Sequence, residues 1–128
     1  MASTSETIIV LTTGKQDRGT RATLAFAWGC TALAMGHKAT LYMTMDGTIW
    51  SLPGGTSHVQ VGGFESLEEY VKQFQELGGE ILVCAPCTEY YCSFDGPGSP
   101  EKIREGIELT GLASIVGKID SGTNVVTF

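Results

Sequence analysis

Three of the four cysteines lie close together in the second half of the chain. Cys84, Cys87 and Cys92 fall within nine positions, and Cys84 ends an apolar run that is typical of a buried strand. A thiol at a strand end, beside a helix start or a cation, can have its pKa lowered, and the thiolate is the form that attacks sulfur or binds metal. A lone cysteine is often a packing residue, but this cluster favours thiol chemistry, with Cys84 as the best candidate.

The spacing of these cysteines leaves several kinds of chemistry open. Cys84 and Cys87 form a C-x-x-C pair of the kind that dithiol oxidoreductases use, although here the pair follows a strand instead of opening a long helix. A zinc site would need Cys92 and His58 to complete its four ligands, since there is only one C-x-x-C pair. The remaining cysteine, Cys30, lies within a predicted helix, and we interpret it as a core residue.

A basic segment follows the first predicted strand. Lys15, Arg18 and Arg21 account for three of the eight basic residues of an otherwise acidic chain. If the first and third strands are neighbours, as in the flavodoxin order, this loop faces Cys84 and its cations favour the thiolate. Lys15 and Arg18 are therefore the candidate substrate-binding residues, and the alternative is an ordinary solvated loop.

Apolar runs closed by turn residues predict the strands that would position these groups. Four runs have this pattern, at 7–13, 39–45, 80–84 and 124–128. The Gly-rich connection 46–63 is long for a compact domain, so we expect it to contain a short strand at its 58–61 segment.

Helical patterns fill the segments between the strands. The 20–35 segment is apolar nearly all round and must be covered on more than one side, and 66–77 begins with a capping box. Cap and first-turn residues at 99–101 predict a helix that includes Ile103 and Ile107, and 112–119 predicts another.

Strands that alternate with helices predict an α/β fold of three layers, a mostly parallel sheet with helices on both faces in a flavodoxin-like arrangement. Ligands of such sheets gather at the carboxyl ends of the strands, which is where Cys84 lies. P-loop, nucleophile-elbow and G-x-G-x-x-G patterns are absent from the sequence, so we predict no cofactor and no resident metal.

Composition limits the partners of this 128-residue chain. A net charge of −6 and a pI near 4.7 argue against nucleic acid, which needs a basic face. With 42% hydrophobic and 17% charged residues, apolar surface remains for a partner subunit, so we expect a homo-oligomer. The first residues do not resemble a signal peptide, and the longest uncharged stretch, 22–37, is shorter than the roughly 20 residues of a membrane span. We therefore predict a cytoplasmic protein without a membrane span.

The order of these features resembles the DsrE/DsrF-like family, also called YchN-like, of small sulfur-handling α/β proteins. The resemblance spans almost the whole chain, and it is the order of several weak patterns that carries it. The matching segments are Ile8-Ile9-Val10-Leu11-Thr12-Thr13-Gly14, Ala32-Leu33-Ala34-Met35-Gly36-His37, Thr40-Leu41-Tyr42-Met43 before Asp46-Gly47, Leu77-Gly78-Gly79-Glu80-Ile81-Leu82-Val83-Cys84 and Asn124-Val125-Val126-Thr127-Phe128.

The resemblance implies a DsrEFH-like fold in a single domain over 1–128, and a sulfurtransferase or sulfur carrier. Similar members take up sulfur as a persulfide on a cysteine after this strand and pass it on, and Cys84 stands in that place. It also implies a homotrimer or homohexamer that meets sulfur donor and acceptor proteins. Cys87 and Cys92 are additional to the family's minimal pattern, so sulfur relay, a disulfide and a metal remain open for them. The rival functions are a dithiol oxidoreductase using Cys84 and Cys87, and a non-catalytic oligomeric module that either holds a metal or is purely structural.

Overall fold

The structure is a computed structural model that describes residues 5–88 and 103–128. The strands are β1 (Glu6–Leu11), β2 (Lys38–Met43), β3 (Glu80–Cys84), β4 (Ile107–Thr110) and β5 (Thr123–Thr127). The helices are α1 (Thr20–Ala34), α2 (Leu67–Glu76), α3 (Ala85–Cys87) and α4 (Leu112–Val116), and 3-10 turns cover Lys15–Asp17 and Met45–Ser51. Within the two described ranges, no helix is both long enough and apolar enough to cross a membrane.

The five strands form one parallel sheet in the order β4-β3-β2-β1-β5. The expectation that the first and third strands are neighbours is wrong, because β2 lies between them and pairs with both. The reason is that the connections through α1 and α2 each add the next strand on the same side of the sheet. Only the connection through α4 returns the chain to the opposite edge, where β5 pairs with β1.

The first face of the sheet packs against α1 and α2 and carries the larger core. Phe26 of α1 and Phe74 of α2 meet edge to face, with their ring centroids 5.7 Å apart. Gly29 allows this close approach, since a Cβ atom there would lie 2.5 Å from the Phe74 ring. The sheet and α2 therefore cover two sides of the apolar 20–35 segment, while Leu24 and Trp28 on this helix remain exposed.

The second face of the sheet carries a smaller core. It consists of Ile8, Tyr42, Leu82, Cys84, Cys87 and Ile115. Because side chains alternate along a strand, Tyr42 and Cys84 point to this face while their neighbours in sequence point to the first. Ile115 belongs to α4, so helices flank both faces and the predicted three-layer α/β fold is confirmed.

The chain around residue 107 differs from the prediction. The helix expected to include Ile103 and Ile107 is wrong in its described part, because Ile107 opens β4, which pairs with β3. Gly106 has a φ of +89°, a left-handed conformation that ends any helical path before this strand. The predicted helix start at 99–101 lies outside the described residues.

The long connection after β2 also differs from the prediction. The short strand expected at 58–61 is wrong, since the only pairing described there is an isolated bridge between Gln60 and Ser66. The connection instead begins with a 3-10 turn whose Trp50 side chain is buried and donates its Nε1 hydrogen to the Thr13 carbonyl at 2.8 Å. This bond ties the connection to the end of β1.

Candidate thiol site at the ends of the second and third strands

Cys84 is the last residue of β3 and is 7% exposed. The strand turns directly into α3, whose three residues end at Cys87, and Pro86 favours this abrupt change because its fixed φ suits a first helical turn. Cys87 is also buried and belongs to the same small core as Cys84. The structure thus brings the two cysteines of the C-x-x-C pair together at the carboxyl end of the sheet.

The Cys87 sulfur is held by the segment that follows β2. The Met45 amide donates a hydrogen bond to Cys87 Sγ at 3.3 Å, and Thr44 Oγ1 lies 3.5 Å from the same sulfur. Met45 has a φ of +53°, a left-handed conformation that is uncommon for a residue with a side chain. The ends of β2 and β3 therefore form one site around two sulfur atoms.

Tyr42 is the buried polar side chain of this site. It lies on β2, is 2% exposed and packs in the second core with both cysteines. With the Cys84 thiol neutral, its hydroxyl forms no hydrogen bond within the described residues, and Cys84 and Thr44 are its polar neighbours. Burial, followed by the neighbouring Cys84 thiol, raises the pKa of Tyr42 to about 12, so the phenol keeps its proton at neutral pH.

The Cys84 thiol ionises more readily than an ordinary cysteine. Burial opposes its ionisation, but hydrogen bonding from the thiol and amide of Cys87 and from the Tyr42 and Thr44 hydroxyls stabilises the thiolate more, and the pKa of Cys84 is lowered. A thiolate in this position is the nucleophilic form of cysteine. The site can therefore carry out attack on sulfur.

Cys30 is a buried cysteine of the opposite kind. It lies on α1, and its thiol donates to the Tyr70 carbonyl at 3.4 Å. Burial, with a smaller effect from the Glu65 charge, raises the pKa of Cys30 to about 11. Its position in the first core agrees with the prediction that it is a packing residue.

The basic loop is separated from the two sulfur atoms. Lys15 and Arg18 are exposed and lead into α1 on the first face, whereas Cys84 lies on the second face and two strands away. Lys15 lines a shallow cleft of about 250 Å³ together with Asp46, whose carboxylate accepts a hydrogen bond from the Gln16 side-chain amide. Arg21 pairs with Asp17 at 3.3 Å. The strand order thus removes the reason for assigning Lys15 and Arg18 to the thiol, and their role in substrate binding stays a prediction.

Replacing Lys15 and Arg18 together by Gln is expected to leave the ionisation of Cys84 unchanged. The strand that this loop follows, β1, is two strand spacings, or about 10 Å, from β3. Exposed charges at that distance from a thiol are largely screened. The rate of alkylation of Cys84, followed by peptide mass spectrometry as a function of pH, measures this. A profile displaced by one pH unit in the double variant would show that the loop does act on the thiol.

A comparison with known proteins identifies the family of this chain. The chain matches the model of the DsrE/DsrF-like family over residues 6–128. The chain belongs to the DsrE/DsrF-like family. This family is associated with sulfur metabolism, as the resemblance in the sequence implied.

Relatives of this DsrE/DsrF-like chain include two archaeal proteins and one solved structure. An uncharacterized protein of Methanopyrus kandleri is 27% identical over 108 residues, which are 84% of this chain and 82% of that protein. Another of Methanocaldococcus jannaschii is 31% identical over 112 residues, which are 87% of this chain and 38% of that longer protein. The crystal structure of the YchN protein of E. coli aligns over 97% of this chain and 99% of its own, with a TM-score of 0.72 at 14% identity, and shows the shared fold.

The remaining residues of the predicted zinc site are Cys92 and His58. Cys92 lies outside the described residues. His58 is exposed in a turn with a φ of +65°. In residues 5–88 and 103–128, no group of three His, Cys, Asp or Glu side chains is placed to hold a metal ion.

Two residues of the candidate site could not be assigned from the sequence. Tyr42 lies on β2 and Thr44 follows the end of this strand in extended backbone, so that their spacing of two positions puts both side chains on one face. That signal was available, but it points to the cysteines only once β2 is known to pair with β3.

Proposed function

We propose that the protein is a sulfurtransferase or sulfur carrier that binds sulfane sulfur as a persulfide on Cys84 and transfers it to an acceptor thiol. The observation that carries this proposal is the thiol itself, buried at a strand end with its pKa lowered by hydrogen bonding from three neighbouring residues. Membership of a family associated with sulfur metabolism supports the same chemistry.

The proposed transfer consists of two displacements at sulfur. The Cys84 thiolate attacks the outer sulfur of a donor persulfide, so that a new S–S bond forms while the donor S–S bond breaks and the donor leaves as a thiolate. The thiolate of an acceptor then attacks the outer sulfur on Cys84 and releases the Cys84 thiolate. No external oxidant or reductant is needed, since each step exchanges one S–S bond for another.

A dithiol oxidoreductase is the second candidate function. The observation that favours it is the placement of Cys87 beside Cys84, with a thiol near enough to stabilise the Cys84 thiolate. In this reaction the Cys84 thiolate would cleave a substrate disulfide, release one thiolate and form a mixed disulfide with the other half. Cys87 would then attack this mixed disulfide, close an intramolecular disulfide and release the second thiolate, so that the substrate disulfide is reduced by two electrons.

Mass spectrometry of the intact reduced protein distinguishes the two functions. After incubation with a low-molecular-weight persulfide, a gain of one sulfur atom that maps to Cys84 supports the carrier. A loss of two hydrogen atoms that maps to Cys84 and Cys87 supports the oxidoreductase. An unchanged mass after reaction with either a persulfide or a disulfide contradicts both.

We also propose that the protein acts as one domain over 1–128, in the cytoplasm, as a homotrimer or homohexamer that exchanges sulfur with donor and acceptor proteins. Apolar side chains remain exposed on the second face, on α4 and next to it, at Leu112, Val116 and Ile119. On α1, Leu24 and Trp28 are 41% and 47% exposed. Such surface is commonly covered by a partner subunit.

The protein is expected to elute and scatter light as an oligomer at micromolar concentration. Burial of these apolar side chains against a second copy stabilises the assembly in proportion to the area removed from water. Light scattering coupled to gel filtration measures the mass. A mass near the 13.6 kDa of one chain would contradict the assembly without affecting the proposed chemistry of Cys84.

A further inference from the structure

Tyr42 carries a polar group that the fold itself does not use. Among the described residues, the buried side-chain oxygens without a hydrogen-bond partner are those of Tyr42 and Thr23. Burial of a hydroxyl without a partner is unfavourable, and a native structure with such a group calls for an explanation. The side chains around Tyr42 supply such an explanation.

The Tyr42 side chain lies in the same small core as both sulfur atoms. Tyr42 pairs with Leu82 in the sheet register, and Leu82 is two residues before Cys84 on β3. Tyr42 is therefore on the same face of the sheet as Cys84. The titratable groups described around Cys84 are Tyr42 of β2, Cys87 of α3 and, on the neighbouring strand β4, the exposed Glu108, which pairs with Leu82. The other side chains of this core are apolar, namely Ile8 of β1, Leu82 of β3 and Ile115 of α4.

An anionic sulfur in such an apolar pocket needs hydrogen-bond donors. The described donors are the Cys87 thiol and amide and the hydroxyls of Tyr42 and Thr44. Thr44 Oγ1 also lies 3.5 Å from Cys87 Sγ, whereas the Tyr42 hydroxyl, whose polar neighbours are Cys84 and Thr44, has no hydrogen bond among the described residues while the thiol is neutral. A phenol buried without a partner beside a thiol is unfavourable when the thiol is neutral and becomes favourable when the sulfur ionises.

We infer that the Tyr42 hydroxyl donates a hydrogen bond to the anionic sulfur on Cys84, both as the thiolate and as the persulfide that forms from it. The thiolate part of this inference is argued from the shared core, the sheet register and the unpartnered hydroxyl, and the persulfide part rests on the function proposed above. Tyr42 is thus a positioning residue that keeps the reactive sulfur ionised inside an apolar core.

Tyr42→Phe tests this inference with little disturbance of the packing. The pKa of Cys84, measured from alkylation rate against pH without any sulfur donor, is expected to rise by about one unit. Alkylation at neutral pH should then be about tenfold slower, with rates that converge above the pKa. Sulfur loading at neutral pH should slow similarly. Thermal stability should stay the same or increase, because Phe keeps the ring and removes an unsatisfied hydroxyl.

Thr23→Val is the matched control, because it removes the other buried hydroxyl that lacks a partner. Thr23 lies on α1, on the opposite side of the sheet from the sulfur atoms. We expect a similar effect on thermal stability and no change in the alkylation profile. A shift of equal size in Thr23→Val would mean that the effect of Tyr42→Phe is a general effect on stability, and would overturn the inference.

The two proposals fail in distinguishable ways. If wild type gains sulfur while the profile of Tyr42→Phe superimposes on that of wild type, the inference about Tyr42 is wrong and the proposed function stands. If the profile shifts but wild type gains no sulfur, Tyr42 does stabilise the thiolate and the proposed function is wrong.

Discussion

Cys84→Ser is expected to abolish sulfur uptake and to leave the fold intact. A serine hydroxyl does not ionise at neutral pH and forms no persulfide, so the first displacement cannot occur. Serine is nearly isosteric with cysteine, and the Cys87 amide and Tyr42 hydroxyl that stabilise the Cys84 thiolate can also bond to a hydroxyl. Intact-mass analysis after incubation with a persulfide donor measures the uptake, and thermal unfolding measures the fold.

Two further variants make this result specific. Cys30→Ser changes a buried thiol in the first core, so it should load sulfur normally while the free energy of unfolding decreases by about 1–3 kcal/mol. Cys87→Ser should still load sulfur if the protein is a carrier, whereas it should lose the intramolecular disulfide if the protein is an oxidoreductase. Equal loading of Cys84→Ser and wild type would show that another cysteine takes up the sulfur.

The sheet could be predicted from the sequence because each buried strand is a local pattern. The runs at 7–13 and 80–84 are apolar and closed by turns, and both are strands in the structure. The order of the strands could not be predicted in the same way, since it depends on the side of the sheet to which each helix returns the chain. β4 was missed because its four residues include Glu108 and Thr110 and lack the continuous apolar character of the other strands.

The residues of the candidate site also differ in whether a local sequence pattern can reveal them. Cys84 could be assigned from its position at a strand end, and Cys87 from its spacing, since both are local features. The assignment of Lys15 and Arg18 to the thiol depended on the strand order, and the expected adjacency is wrong because β2 lies between β1 and β3. Tyr42 and Thr44 belong to a site formed by two strands that are far apart in sequence, and only the pairing of β2 with β3 brings them to the sulfur atoms. Residues contributed by other strands are thus the part of a site that local patterns reveal least.

The turn that follows β2 is the other part of the site that a single substitution should disrupt. Gly47 lies against the end of β1, and a Cβ atom there would come within 2.2 Å of the Leu11 carbonyl oxygen. That same oxygen accepts a hydrogen bond from the Thr44 amide at 3.0 Å, and the Gly47 amide bonds to the Thr44 carbonyl at 3.0 Å. The turn therefore cannot move at Gly47 without moving Thr44.

Gly47→Ala is expected to lower both stability and sulfur loading. Because the clash is with backbone, the turn must shift away from β1, which should lower the free energy of unfolding by about 1–3 kcal/mol. The shift also displaces the Thr44 hydroxyl and the Met45 amide that contact Cys87. Loading should therefore be slower even at temperatures where the variant is fully folded. Chemical unfolding and the rate of sulfur gain measure the two effects separately.

Gly62→Ala is the control for this substitution, since a Cβ atom there would meet nothing within 4 Å. It lies in the same long connection and replaces the same residue type, so it reproduces the change in the unfolded chain without the clash. We expect stability at or slightly above that of wild type and unchanged loading. If Gly47→Ala lowers stability but loads sulfur at the wild-type rate, the contacts of Thr44 and Met45 with Cys87 are structural and do not contribute to the reactivity of Cys84.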